Sequence, residues 1–357
     1  MRPLVKVIDL SALRHNLAHL QTIAGNAQVM AVIKANAYGH GVEAVLPALS
    51  EAKQFGVACI EEALELRALG VKQPITLLEG VFSPDELAVC VREALTVIVH
   101  NQTQLAWLAE QPQYHLSAWL KIDSGMSRLG FQAREAAEAI AAAQALKHID
   151  WLGLATHFAC ADEPDNDYSE QQWAQFSAIA LPSGWQRCAA NSAALLRLPH
   201  THADVVRPGL ALYGMSPMAG TTAADHGLRA VMTLRSKILT IRTLQAGEYA
   251  GYGCAFRASK TGRLATIALG YGDGFPRKIT SGAVFVRING QLYPLVGRVT
   301  MDMALVWLGE DQAAVGDEVV IFGDGHAVEA VAEQAGTIPY TMTTMLTSRP
   351  HTEVVDG

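Results

Sequence analysis

Short apolar runs alternate with amphipathic or alanine-rich stretches from about residue 29 to residue 215. The runs that predict strands are Val29–Ile33, Phe55–Ile60, Ile75–Glu79, Thr96–His100 and Leu116–Ile122. Three more follow at Trp151–His157, Gln186–Ala190 and Val205–Tyr213, the last interrupted by Pro208-Gly209. Between them, Glu61–Leu69, Pro84–Arg92 and Ala133–Leu146 carry helical patterning. This alternation implies parallel strands joined by helical crossovers. Eight strands favour a closed (β/α)₈ TIM-type barrel over an open doubly wound sheet. After about Leu228 helical periodicity nearly vanishes. Met232–Leu244, Arg263–Leu269, Ala283–Ile288, Leu292–Val299 and Glu318–Phe322 read as strands, and Asn289-Gly290 is a hairpin signal. The expected organisation is a barrel over residues 1–228 and a C-terminal all-β domain over 229–357. Met1–Leu10 also reads as a strand, and its residues 1–9 are available to pair with the β domain.

Composition agrees with that plan. A chain of 357 residues that is 50% hydrophobic and 17% charged has ample material for large cores, and its length suggests two domains. The net charge is −7, and neither part holds a basic run, which argues against nucleic acid or an anionic membrane as partner. No apolar run approaches the roughly 20 residues of a membrane span, and no charged-then-apolar leader opens the chain. The cysteines (Cys59, Cys90, Cys160, Cys188 and Cys254) are scattered and form no CxxC. That pattern fits a reducing compartment, with neither a disulfide framework nor a zinc site. A cytoplasmic protein without a metal is expected.

Barrels place their chemistry at the carboxyl ends of their strands. The first strand ends at Lys34, where a partly desolvated amine would be a nucleophile; a solvated lysine capping the strand is the competing reading. The fifth ends Lys121-Ile122-Asp123-Ser124-Gly125-Met126-Ser127-Arg128. Arg128 could clamp a carboxylate with its planar fork, whereas Lys121, still inside the strand, would need pairing or modification if it pointed inward. The sixth ends at His157, which is as readily a satisfied structural histidine. The seventh ends Asn191-Ser192, and the eighth carries Arg207-Pro208-Gly209-Leu210. Helix capping accounts for Ser192 as well as ligand binding does. However, the loops after strands seven and eight are where such barrels often hold phosphate, and Ser192 and Gly209 coincide with both. Gly251-Tyr252-Gly253 and Gly270–Gly274 read first as turns, and Met301-Asp302-Met303 as part of a strand. None of the glycine patterns is a P-loop or a Rossmann fingerprint.

Taken in order, these segments resemble the alanine racemase family. The matching motifs are Ala31–Gly41 (AVIKANAYGHG), Trp119–Gly130 (WLKIDSGMSRLG), Asn191-Ser192, Arg207–Gly214 (RPGLALYG), Gly251-Tyr252-Gly253, Gly270–Gly274 (GYGDG) and Gly297–Met303 (GRVTMDM). They span nearly the whole chain. The resemblance implies an N-terminal barrel that binds pyridoxal 5′-phosphate, a C-terminal β domain, and a homodimer with shared active sites. It implies interconversion of L-alanine and D-alanine, the latter a peptidoglycan precursor.

By motif, Lys34 would carry the cofactor as a Schiff base and act as one base, and Tyr252 of the partner subunit would be the other. Arg207 would face the pyridine nitrogen, where many enzymes of this cofactor place a carboxylate. His157 would link that arginine to the tyrosine, since a free tyrosine titrates near pH 10 and a base must be tuned towards neutrality. Tyr38, Asn191, Ser192, Gly209, Leu210 and Tyr340 match the cofactor contacts. Arg128, the Met301 amide and Tyr271 match the contacts to the substrate carboxylate. Lys121 matches a lysine that is often carbamylated. Two departures stand out: Cys188 replaces a histidine that some members place near the cofactor, and Ser348-Arg349-Pro350-His351 follows the family ending loosely. Rival readings are a serine or broad-specificity racemase, a decarboxylase on the same barrel, a non-catalytic cofactor carrier, and a cofactor-free Schiff-base aldolase. Tyr340 favours a pocket narrowed for alanine, the glycine-rich phosphate loop and cysteine motif of the decarboxylases are not found, a carrier would have no use for Tyr252, and the Ser192/Gly209 pair disfavours a cofactor-free aldolase.

Overall fold

The computed structural model describes residues 2–357, so Met1 of the expected Met1–Leu10 strand lies outside the described residues. The chain divides into two compact units, one of Asn16–Leu212 with Pro217–Gly220, the other of Met1–His15, Tyr213–Ser216 and Thr221–Gly357. The first strand, β1 (Val5–Asp9), belongs to the second unit, where it pairs antiparallel with a long strand described below.

The first unit is a closed parallel barrel. Its strands are β2 (Gln28–Val32), β3 (Gln54–Val57), β4 (Ile75–Leu77), β5 (Leu95–Val99) and β6 (Leu116–Asp123), then, after the two-residue β7 (Phe131–Gln132), β8 (Ile149–Ala155), β9 (Gln186–Asn191) and β10 (Val205–Arg207). Each pairs in parallel with its neighbours, β5 joins β6, and Val205↔Gln28 closes the ring from β10 to β2. Met30, Ile98, Trp119, Ala155, Cys188 and Val205 pack as one buried cluster. They come from six different strands, which only the inside of a closed sheet brings together, so the barrel is a packed core with no pore.

Several predicted strands overrun their ladders. Phe55–Ile60 pairs only to Val57, Ile75–Glu79 to Leu77 and Trp151–His157 to Ala155, and the residues beyond each ladder form the strand-end turns. The largest correction is Val205–Tyr213. Its ladder stops at Arg207, and Leu210–Tyr213 forms a 3₁₀ turn. Pro208 has no N–H to donate, and the Gly209 and Ala211 N–H groups donate to the Ser192 hydroxyl. Leu210, Ala211 and Leu212 are buried without being strand, so burial extended the apolar run past the pairing.

The second unit is a β structure. It contains β11 (Met232–Leu244), β12 (Tyr249–Ala250), β13 (Phe256–Arg257), β14 (Gly262–Ile267), β15 (Phe285–Ile288), β16 (Gln291–Val296), β17 (Ala304–Gly309), β18 (Glu318–Phe322) and β19 (His351–Val355). The large sheet runs β14-β17-β16-β15-β18-β11-β1-β19, and β14 also pairs with β11. Among the described residues only β1 and β19 run parallel within it. Asn289 and Gly290 turn β15 into β16 with φ of 50° and 83°, the left-handed pair that a tight hairpin requires. Two short helices, Val328–Gln334 and Pro339–Thr344, add to the expected all-strand pattern. Met301-Asp302-Met303 is a turn ahead of β17 and not part of a strand. There the Thr300 hydroxyl donates to the Met303 carbonyl and accepts from its N–H, a local alternative to the ladder.

Candidate active site

The segment after β2 has an unusual backbone. Ala35, Asn36 and Ala37 have φ of 53°, 52° and 54° with ψ near the same values, and Tyr38 has φ 53°. A left-handed turn of four residues that all carry a Cβ costs about 1–2 kcal/mol per residue, and strain of this kind gathers at functional sites. Local bonds hold it. Gly39 N–H donates to Ala35 O and Gly41 N–H to Asn36 O, both at 3.0 Å, and Val42 N–H donates to the Asn36 side chain at 2.7 Å. The Glu62 carboxylate accepts from Ala35 N–H and Ala58 N–H, each at 2.7 Å. Lys34 opens this turn half-buried, while Tyr38 and His40 are buried.

Tyr38, Ser192 and Gly209 meet. A Cβ on Gly209 would run into the Tyr38 hydroxyl, with the ring carbon Cζ at 2.8 Å. The Ser192 hydroxyl accepts from Gly209 N–H at 2.9 Å and Ala211 N–H at 3.2 Å, so its own proton is left to donate. Asn191 caps the following helix, accepting from Ala194 N–H at 3.0 Å. Leu210 is buried beside the cradle.

Strand β6 supplies Lys121, which is buried. Burial, then Arg207, Arg128 and Lys34, lower its pKa to about 8, with Asp123 opposing. Arg128 lies exposed on the turn that follows, and lines a small pocket with Lys121, Thr156 and His157. The Asp123 carboxylate holds that turn by accepting from Gly125 and Ser127 N–H at 2.9 and 3.1 Å. Lys34, Lys121, Arg128 and Arg207 make the barrel mouth electropositive, which favours an anionic ligand.

Arg207 is buried at the end of β10. It donates to the carbonyls of Cys188 (2.9 Å), Thr156 (2.6 Å) and Ala189 (3.1 Å), and to the Cys188 sulfur at 2.9 Å. Its Nη2 lies 3.4 Å from Nδ1 of His157. A guanidinium only donates, so Nδ1 is the acceptor and the proton of the neutral ring sits on Nε2. Burial first, and then Arg207, Lys121, Arg128 and Lys34, hold the His157 pKa well below its ordinary value, which keeps the ring neutral at physiological pH. Burial pushes the Cys188 thiol up, with Arg207 opposing. Three residues that sequence reasoning missed brace this end. Gln172 donates to His157 O at 3.1 Å and accepts from Ala159 N–H at 2.8 Å, and the Thr156 and Ser124 hydroxyls bond at 2.8 Å. With Glu62, these looked like ordinary polar positions on amphipathic segments.

The β unit carries the remaining predicted residues. Tyr252 is 71% exposed between Gly251 and Gly253, whose φ values are 76° and 67°. Tyr271 and Met301 share a braced platform: Tyr271 N–H donates to Thr300 O at 3.0 Å and Gly272 N–H to Met301 O at 2.9 Å. Beneath them the buried Asp273 takes a bidentate pair from Arg2 at 2.7 Å, and Arg349 bonds Asp302 at 2.6 Å. Tyr340 is half-buried in the helix Pro339–Thr344. Among the described residues there is no group of His, Cys, Asp and Glu that could hold a metal. None of the described helices is long and apolar enough to cross a membrane.

Residues 8–217 match the family description "Alanine racemase, N-terminal domain", and residues 231–354 match "Alanine racemase, C-terminal domain". The chain is 52% identical over 358 residues to an alanine racemase of Dichelobacter nodosus (strain VCS1703A), covering 100% of both chains. It is 44% identical to one of Shewanella woodyi over 98% of each chain. Among solved structures, the alanine racemase from Acinetobacter baumannii superposes with a TM-score of 0.95 at 40% identity, over 99% of this chain and 100% of that one. The biosynthetic alanine racemase from Pseudomonas aeruginosa gives 0.93 at 40% identity with the same coverage.

Proposed function

The chain belongs to the alanine racemase family, and on that premise we propose that it interconverts L-alanine and D-alanine by a two-base mechanism dependent on pyridoxal 5′-phosphate. In this reading the barrel unit within the expected residues 1–228 (Asn16–Leu212 with Pro217–Gly220) binds the cofactor, and the β unit, which includes residues 229–357, contributes to the active site of a partner subunit in a cytoplasmic homodimer. The cofactor, when bound, supplies a ring that withdraws electrons from the substrate α-carbon. The Tyr38–Ser192–Gly209 cradle suits its phosphate: two hydroxyl donors meet where a glycine alone leaves room. Asn191 and Leu210 border the cradle from the barrel, and Tyr340 matches by motif a family cofactor contact that would narrow the substrate pocket towards alanine.

The observation that carries the reading is the buried Arg207 set against Nδ1 of His157. Arg207 can donate to a pyridine nitrogen and cannot protonate it, which weakens electron withdrawal and limits side chemistry at the α-carbon. His157, with its proton on Nε2, is a donor for the phenol oxygen of the partner's Tyr252, and such a donor stabilises the anionic base. Lys34 Nζ then takes or returns the α-proton on one face, and the partner's Tyr252 does so on the other. Racemisation needs two such faces. Arg128 would clamp the substrate carboxylate, with the Met301 amide and Tyr271 assisting. Lys121, with a pKa near 8, keeps an appreciable fraction of neutral amine at neutral pH. That amine can add to carbon dioxide, forming an N–C bond and releasing a proton. The resulting carbamate would replace a buried cation with an anion that supports Arg128.

The test is to incubate L-alanine, L-serine and L-lysine separately with the enzyme and measure the D-isomer of each. Alanine is expected to react fastest by a wide margin, and equal rates would overturn the substrate assignment.

A further inference from the structure

We infer that Glu62 is a positioning residue for Lys34, holding the strained turn that aims the amine at the cofactor. The inference rests on the reading of Lys34 as the cofactor-bearing lysine. Glu62 lies in the helix Ile60–Ala68, which follows β3, and not in the segment that carries Lys34. Its Oε1 accepts from Ala35 N–H at 2.7 Å, and its Oε2 accepts from Ala58 N–H at 2.7 Å. One carboxylate therefore bridges the turns that leave two neighbouring barrel strands. The first of those N–H groups belongs to the residue directly after Lys34.

The need for such a bond follows from the backbone. Ala35 has φ 53° and starts a run of four positive-φ residues, none of them glycine. Without a local acceptor, relaxation of Ala35 to an ordinary conformation would rotate the peptide that joins it to Lys34, and with it the direction of the lysine side chain. The other ties leave the Ala35 N–H unengaged: Ala37 N–H donates to Ile33 O, Val42 N–H to the Asn36 side chain, and Gly39 and Gly41 N–H to Ala35 O and Asn36 O. Among the described residues, Glu62 is the acceptor of the Ala35 N–H. Both contacts are short bonds from neutral donors to an ionised acceptor, the stronger class of hydrogen bond. A glutamine cannot replace it. Its amide offers one oxygen, so its NH₂ would face one of the two N–H donors.

The experiment uses full-length enzyme stripped of cofactor and remixed with pyridoxal 5′-phosphate. The Lys34 amine forms a C=N bond to the aldehyde carbon with loss of one water, and borohydride reduction fixes the product as added mass on Lys34. The rate of that addition is compared for wild type, Glu62→Gln, Glu62→Asp and the exposed neighbour Glu61→Gln, together with the thermal midpoint of each apoprotein. Glu62→Gln is expected to slow attachment about tenfold or more, the loss typical of a charge-assisted bond, with the apoprotein midpoint within a few degrees of wild type. Glu61→Gln should match wild type. If Glu62→Gln does not fold, Glu62→Asp reads the same rate, because it keeps the charge on a shorter stem and should be slowed by a smaller factor. Attachment at the wild-type rate in the Glu62 variants would overturn the inference. A loss that tracks the unfolded fraction alone would also overturn it, by reducing Glu62 to a fold-stabilising role. If wild type itself gains no mass at Lys34, the cofactor reading fails instead.

Discussion

Arg207 and Tyr252 represent two ways of presenting a functional group. Arg207 is buried and commits its guanidinium to three carbonyls and a histidine. Tyr252 is mostly exposed, on a turn set by two glycines in left-handed conformations. The barrel unit fixes its polar groups against one another, strains the backbone after β2, and lowers the pKa of Lys121 and His157 first by burial and then by the cations it collects. The β unit braces its loops from below, through Asp273 with Arg2 and Asp302 with Arg349, and leaves Tyr252, Tyr271 and Met301 at the surface. The barrel's strand-end residues thus bond to one another within the unit. The family resemblance assigns Tyr252 to a partner's site, and its exposure leaves it accessible to another molecule.

Substitutions can break this contrast, beginning with the largest expected effect. Lys34→Ala should abolish covalent cofactor attachment and lower kcat by about 10⁴-fold or more, beyond the usual range for a positioned base; mass after borohydride reduction and D-alanine formation check it. Tyr252→Phe should lower kcat by about 10²–10⁴-fold while cofactor affinity, read by titrating the apoenzyme, stays unchanged. An equal loss of both would mean that the tyrosine belongs to the cradle. Gly209→Val should do the reverse. Its side chain would displace Tyr38, an overpacking cost of about 1–3 kcal/mol, so cofactor affinity should fall while the thermal midpoint of the apoprotein falls less.

Lys121 gives the smallest and most specific effect. Carbamylation requires the neutral amine, and the ammonium form grows as pH drops through about 8. Depleting carbon dioxide, or lowering pH through that range, should therefore raise the KM for alanine, by about threefold to tenfold for one weakened charged contact. Restored bicarbonate should reverse the rise. In Lys121→Ala, KM should not respond to carbon dioxide.

Much of this was legible in the sequence where the signal is local. Alternating apolar runs gave the barrel because parallel strands buried on both faces have no polar side. Asn289-Gly290 marked its hairpin because few residues accept two left-handed conformations in a row. Lys121 looked anomalous because a lysine inside an apolar strand has nowhere to place its charge. What stayed hidden depends on contacts distant in sequence. The end of β10 depends on the Ser192 hydroxyl, 17 positions from Gly209, which binds the N–H groups beyond the ladder. Glu62 and Gln172 sit on helices whose patterns have no mark for a carboxylate or amide that reaches back to a strand end. The left-handed turn at Ala35–Tyr38 runs against the preferences of its residues, so no propensity argument finds it.

The central claim is that each active site joins a barrel lysine to a tyrosine of another subunit. Lys34→Ala and Tyr252→Phe proteins, each inactive alone, are mixed under conditions that let subunits exchange, and alanine racemisation is measured. Hybrid dimers should regain activity, because one of their two sites has both Lys34 and the partner's Tyr252 intact. A mixture that exchanges subunits yet stays as inactive as its parents would contradict the account.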